Sequence, residues 1–125
     1  EDGRVHFSGR TQDRIRRRGE NISAAELEFI AAQHAEVVEC AAYGVPGELG
    51  EHEVKLDIYV RDTAFDVRSY HVWLEEKLPR YMVPRFIEVH ADELPKTPSQ
   101  KIQKFKLAEA GVNRPEVVEF EPVRR

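Results

Sequence analysis

From Val54 to Val60, the apolar residues Val54, Leu56, Ile58 and Val60 alternate with Lys55, Asp57 and Tyr59. A period of two belongs to a strand with one face in the core and the other in water. Val37 to Val45 is a mostly apolar, β-prone run that closes at Pro46-Gly47, and Phe86 to His90 reads as a third core strand. Near the start, residues 4–8 alternate, and a second short strand fits Asp13 to Arg17. The turn signals Asp2-Gly3 and Gly19 bracket these as a hairpin-like unit. Ser23-Ala24-Ala25-Glu26 has the form of a capping box. Leu27, Ile30 and Ala31 then share one helical face, which predicts a helix to about His34. Asp66 caps the next helix, whose apolar stripe is Val67, Tyr70, Leu74 and Leu78 and which Pro79 ends. Leu94 to Gln100 holds two prolines and reads as loop. Ile102 to Ala110 is a last helix, stopped by Gly111. The pattern predicts an α+β fold: a small three-stranded sheet covered by helices, preceded by an N-terminal β-hairpin. Residues 1–111 form the domain, and 112–125, with two prolines, read as a C-terminal tail.

A chain of 125 residues is one ordinary domain. Its 41% hydrophobic and 34% charged residues predict a folded rather than disordered chain. The net charge of −4 argues against a nucleic-acid partner, which needs a basic surface. Cys40 is the single cysteine, so no internal disulfide exists, and a reducing, cytoplasmic compartment is expected. No apolar run approaches the roughly 20 residues of a transmembrane helix. The chain starts on Glu1-Asp2-Gly3 without Met, which reads as a piece of a longer protein. His6, His34, His52, His71 and His90 show no metal-ligand spacing, so no metal is expected on this chain. No serine sits in a nucleophile elbow.

Two segments carry candidate chemistry. Between Arg10 and Arg18 lie five arginines and one aspartate, in an otherwise acidic chain. Guanidinium forks suit phosphates, but charge alone favours the plainer reading of a solvated hairpin. Gly19 serves either a turn or the close approach of a ligand to backbone. In the second segment, Leu94-Pro95-Lys96-Thr97-Pro98-Ser99-Gln100-Lys101-Ile102, two prolines stiffen a loop that delivers Lys101 near a helix start. The helix dipole slightly disfavours a cation there, so Lys101 asks for an anionic partner. Local features alone read it as a surface lysine.

Taken together, the motifs resemble a known family. Gly9-Arg10-x-x-Asp13 followed by Arg18-Gly19-Glu20-Asn21-Ile22-Ser23-x-x-Glu26 is similar to the opening motif of the C-terminal domain of AMP-forming acyl-CoA synthetases, in the adenylate-forming superfamily. Leu78-Pro79-x-Tyr81-Met82-Val83-Pro84 and Leu94-Pro95-Lys96-Thr97-x-x-x-Lys101-Ile102 resemble that domain's closing motifs. The resemblance spans roughly residues 3 to 109, with the motifs in the family's order and at its separations.

The resemblance implies a ligase that activates a carboxylic acid with Mg-ATP to an acyl-adenylate, then passes the acyl group to coenzyme A. It implies that the domain swings between two orientations against its own N-terminal domain, which holds the Mg2+, most of the ATP contacts and the acid. By motif position Lys101 is the adenylation lysine, Arg10 contacts the ribose, and Gln12 and Asp13 form the hinge. Gly19 lines the pantetheine tunnel, and Arg16, Arg17, Arg18, Tyr81 and Arg85 neighbour the CoA nucleotide. The sequence departs from the family at Gln100, where Gly is frequent, and at Gln12, where Asp or Lys is frequent. A runner-up within the superfamily is the small subdomain of a peptide-synthetase adenylation domain. A non-catalytic binding module is the reading from a different class.

Overall fold

The structure, a computed structural model, describes residues 14–17, 19–47, 52–62 and 64–120, with the Arg14 and Glu20 side chains left aside. The expected strand at residues 4–8, Arg10, Gln12, Asp13 and Arg18 lie outside the described residues. The hairpin that the structure shows is made of β1 (Arg14–Arg17) and β2 (Glu20–Ser23), antiparallel, with Arg17 opposite Glu20. Gly19 stands in the turn at φ 80°, where a side chain would be strained.

β2 runs straight into α1 (Ala24–Ala31), and Ser23 Oγ accepts the Glu26 amide at 3.1 Å, the serine half of the capping box. β3 (Val37–Pro46) and β4 (His52–Val60) pair antiparallel, with a bulge between Val37 and Glu39. Asp66 caps α2 (Val67–Lys77) by accepting from the Arg68 and Ser69 amides. A single 3-10 turn, Arg80–Met82, leads into β5 (Phe86–His90), which lies parallel to β4. α3 (Lys104–Ala110) ends at Gly111, φ 78°.

The sheet has four strands, β3-β4-β5-β6, where the sequence pattern predicts three. The fourth, β6 (Val117–Glu119), comes from the stretch assigned to a tail and pairs antiparallel with β5. Pro115 precedes the strand, so it removes no ladder hydrogen bond. Phe120 is buried and its ring stacks on His71 at 3.8 Å between centroids, which ties β6 to α2. α3 starts at Lys104 rather than Ile102, because Ile102 is held in a bridge to Lys96.

Both faces of the sheet are covered. On one, Ala42, Val54, Leu56, Ile58, Val60 and Ile87 pack with Leu27, Tyr70 and Leu74 of the helices and with Ile15 and Ile22 of the hairpin. On the other, Ala41, Tyr43 and Val45 pack with Leu94 and Leu107, and Ile102 rests against them. Lys55 and Asp57 are therefore fully buried, which corrects the expectation that β4 turns this face to water. The loop before α3, and α3 itself, cover it.

Candidate active site

Residues Pro95 to Gln103 fold back on themselves as a small hairpin. The Gln103 amide donates to the Pro95 carbonyl at 2.8 Å, Lys96 bridges Ile102, and the Thr97 amide donates to the Lys101 carbonyl at 2.8 Å. Thr97 closes the tip: its carbonyl accepts the Gln100 amide at 2.8 Å and its Oγ1 accepts the Lys101 amide at 3.1 Å. The loop proper is Pro98-Ser99-Gln100, and Gln100 has φ 73°. A three-residue hairpin loop ordinarily ends on a residue in this left-handed region, which favours glycine. The frequent Gly of the resembling family thus has a backbone reason here, and Gln100 occupies the same conformation at a cost.

Three lysines sit in or beside this hairpin, and the structure separates them. Lys96 Nζ pairs with Glu39 Oε2 and lies 3.4 Å from Glu93 Oε1. Lys104 Nζ pairs with Glu28 Oε2 at 2.7 Å. Lys101 is exposed, and of the three it alone meets no carboxylate among the described residues. The hairpin thus presents one uncompensated ammonium at its tip, held by backbone rather than by a counter-charge. Such a group stabilises negative charge brought to it from outside.

The arginine segment lies elsewhere. Arg16 is exposed; its amide donates to His52 Nδ1 at 3.0 Å and its guanidinium reaches Asn21 Oδ1 at 3.4 Å. Arg17 is only 2% exposed. Its Nη1 donates to the carbonyls of Tyr81 at 3.3 Å and Val83 at 3.2 Å, and its Nε lies 3.3 Å from Glu53. It clamps the β1–β2 hairpin to the 3-10 turn from inside. Arg85 lies between Glu53, at 3.3 Å, and Glu119, at 2.7 Å, so two carboxylates offset its charge. The hydrogen bond to Glu119 is the main reason its guanidinium is held above the usual range. Tyr81 is 37% exposed and Gly19 is exposed, with open space where a Cβ would stand. The backbone alone accounts for glycine at position 19.

The Lys101 hairpin and the β1–β2 hairpin are not brought together. They pack on opposite faces of the sheet, Leu94 and Ile102 on one, Ile15 and Ile22 on the other. They also sit at opposite ends of the β3–β4 ladder. The first is tied to Glu39, which pairs with Tyr59, and the second to His52, which pairs with Pro46. At ~3.3 Å per residue these ends are ~23 Å apart along β3.

Sequence reading missed a buried polar network under α3. Lys55 Nζ donates to Tyr43 Oη at 2.8 Å, Asp57 Oδ1 at 2.7 Å and Glu88 Oε1 at 2.9 Å. Tyr43 Oη donates to Asp57 Oδ1 at 2.6 Å, His90 Nε2 lies 2.7 Å from Asp57 Oδ2, and Arg114 pairs with Glu88. Burial pushes the Asp57 carboxyl up, but the hydrogen bond with His90 and the charge and bond of Lys55 outweigh it and hold it below its usual value. Burial and Asp57 push the Tyr43 phenol well up. The period-two residues Glu88 and His90 were the available signal, but only the register places them beside Lys55 and Asp57. Asp57, Glu88 and His90 alone would resemble a metal-ligand set. The Lys55 ammonium already bonds both carboxylates, so these residues do not fit a metal. Cys40 is half-buried, and burial raises its thiol to about 12, which makes it inert.

Residues 26–101, more than half the chain, match the family of AMP-binding enzyme C-terminal domains. The chain is 37% identical over 112 residues to a 2-methylpropanoate–CoA ligase, CCL4, of Humulus lupulus, covering 85% of this chain and 19% of that protein. It is 34% identical over 109 residues to a linear gramicidin synthase of Brevibacillus parabrevis, covering 86% of this chain and 1% of that one. Among solved structures it resembles the acyl-CoA synthetase of Brucella canis, with a TM-score of 0.71 and 33% identity over 82% of this chain and 19% of that one. The chain belongs to the AMP-binding enzyme C-terminal domain family. It spans about a fifth of the length of the CoA ligases it matches. No helix among the described residues is long and apolar enough to cross a membrane.

Proposed function

We propose that this chain is the mobile C-terminal domain of a cytoplasmic, AMP-forming acyl-CoA synthetase, and that it serves the enzyme's two steps with two different surfaces. The observation that carries the reading is the placement of Lys101 and of the β1–β2 hairpin on opposite faces and at opposite ends of one sheet. The two surfaces lie too far apart to meet one reacting centre together, which supports a domain that presents them in turn.

In the first orientation Lys101 enters a site built by the N-terminal domain. Its uncompensated ammonium bridges the acid carboxylate and the nucleotide oxygens, which orients the nucleophile and offsets phosphate charge. Mg2+ would bind with the phosphates, held by the N-terminal domain, and would offset phosphate charge there. Arg10 contacts the ribose, and Gln12 and Asp13 serve as the hinge. In the second orientation the hairpin faces the site, Gly19 lines the pantetheine path, and the exposed Arg16, with Arg18 and Tyr81, approaches the CoA nucleotide. Arg17 and Arg85 shape that surface through their contacts with the chain itself. The match to a gramicidin synthase supports a second reading, in which a carrier protein replaces CoA as acceptor. Gly19-Glu20-Asn21-Ile22-Ser23 favours the CoA reading.

The test uses the full-length protein and a panel of carboxylic acids. Pyrophosphate release followed by CoA-dependent formation of AMP and a thioester is the expected result. An acyl-adenylate that CoA does not discharge, with its acyl group passing to a carrier-protein thiol and AMP released instead, would support the second reading. Lys101→Ala should lower pyrophosphate release by at least about 10²-fold, the scale of losing one preorganised charge-stabilising group. Lys106→Ala, an exposed cation on α3, should leave it unchanged.

A further inference from the structure

We infer that Glu39 is a positioning residue for acid activation, acting through the hairpin that carries Lys101; the inference rests on the role proposed for that lysine. Lys101 makes no side-chain contact that fixes its direction among the described residues, so its placement depends on how the whole hairpin is held. Leu94 and Ile102 anchor the hairpin apolarly against Ala41, Tyr43 and Val45. Apolar contact is non-directional and leaves the tilt of the hairpin loosely set.

Glu39 supplies the direction. It lies on β3 directly after the bulge. Its two oxygens do different work: Oε1 accepts the Leu94 amide at 3.0 Å, and Oε2 pairs with Lys96 Nζ. These two points flank Pro95, whose ring fixes the backbone between them. From Lys96 the constraint passes on through the bridge to Ile102 and the exchange of hydrogen bonds between Thr97 and Lys101. One carboxylate on the sheet thereby sets the angle of the hairpin that ends in the Lys101 ammonium. It also neutralises Lys96, so that Lys101 is the charge presented to substrate. Just beyond the hairpin, Glu28 Oε2 accepts the Ala42 amide at 2.8 Å and pairs with Lys104 Nζ at 2.7 Å.

The test is made in the full-length protein, with pyrophosphate release and conversion of pre-made acyl-adenylate plus CoA measured separately. Glu39→Ala should slow the first at least about tenfold, since small misplacement of a catalytic group is costly, and leave the second within about twofold. Glu39→Gln keeps an acceptor for the Leu94 amide and should fall between. Lys96→Met severs the same ion pair from the other side and should show the same selectivity, so the test survives a misfolded Glu39→Ala protein. Added to Lys101→Ala, Glu39→Gln should cause no further loss, because a residue that acts through Lys101 has nothing left to position. Equal loss in both half-reactions, an unchanged first half-reaction, or a full additional loss on top of Lys101→Ala would each overturn the inference. If Lys101→Ala itself leaves pyrophosphate release intact, the role of the lysine fails, and that outcome is read independently of Glu39.

Discussion

Thr97 and Lys101 face each other across a three-residue loop, the Thr97 amide bonded to the Lys101 carbonyl at 2.8 Å and the Lys101 amide to Thr97 Oγ1 at 3.1 Å. The pairing brings the chain back on itself only because Gln100 accepts φ 73°. An L-residue in the left-handed region carries a penalty of about 1–2 kcal/mol, which glycine escapes at the expense of its own chain entropy. Gln100→Gly should therefore stabilise the chain by up to about 1 kcal/mol, and Gln100→Ile should destabilise it by about 1–2 kcal/mol, as checked by denaturant unfolding. The opposite order would show that the loop is not held in this conformation.

Lys55 lies between Asp57 and Glu88 with no exposed surface. Removing one member of such a group leaves buried charge uncompensated. Lys55→Met should cost about 3–5 kcal/mol in unfolding free energy. A cost below about 1 kcal/mol would mean that water reaches the network.

Arg16 and Arg17 are adjacent, yet only one is structural. Arg17→Ala removes two hydrogen bonds to carbonyls and an ion pair inside the fold. It should destabilise by about 2–4 kcal/mol, whereas Arg16→Ala should change stability by no more than about 0.5 kcal/mol. The same unfolding measurement on both variants decides the matter.

This pair also marks the limit of what the sequence discloses. Gly19 was legible as a candidate turn glycine because φ requirements are local, but the strand that follows it, Glu20–Ser23, was not expected. The arginine run could not say which arginine turns inward, since that is decided by the carbonyls of Tyr81 and Val83, far along the chain. Likewise the alternation of Val54 to Val60 gave β4 and one core face correctly. The second face was misread as solvated because the partners that make Lys55 tolerable come from β3 and β5 and are set by register. β6 was hidden by its shortness and by the prolines around it. The motif located the loop that carries Lys101, while Glu39, one carboxylate in an apolar run, carried no local signal of what it holds.

His71 is buried against Phe120, and burial lowers its affinity for a proton more than Glu75 and the backbone contact with Pro84 raise it. Below a pH of about 6.5, the ordinary histidine value, the unfolded chain then binds a proton that the folded chain resists. Stability should be full above that pH and fall as pH drops through the window down to the lowered folded value. His71→Phe should flatten this part of the profile, with urea midpoints between pH 7 and pH 5 as the readout. An unchanged slope in the variant would place the titration elsewhere.

In the proposed function, one sheet carries two surfaces used in alternation. The direct measurement is a cross of two variants and two half-reactions in the full-length protein. Lys101→Ala should lose pyrophosphate release by at least about 10²-fold and keep conversion of supplied acyl-adenylate to thioester. Gly19→Leu, at an exposed turn on the opposite face, should keep the first and lose the second. Loss of both half-reactions in either folded variant, or the same half-reaction lost in both, would contradict the account.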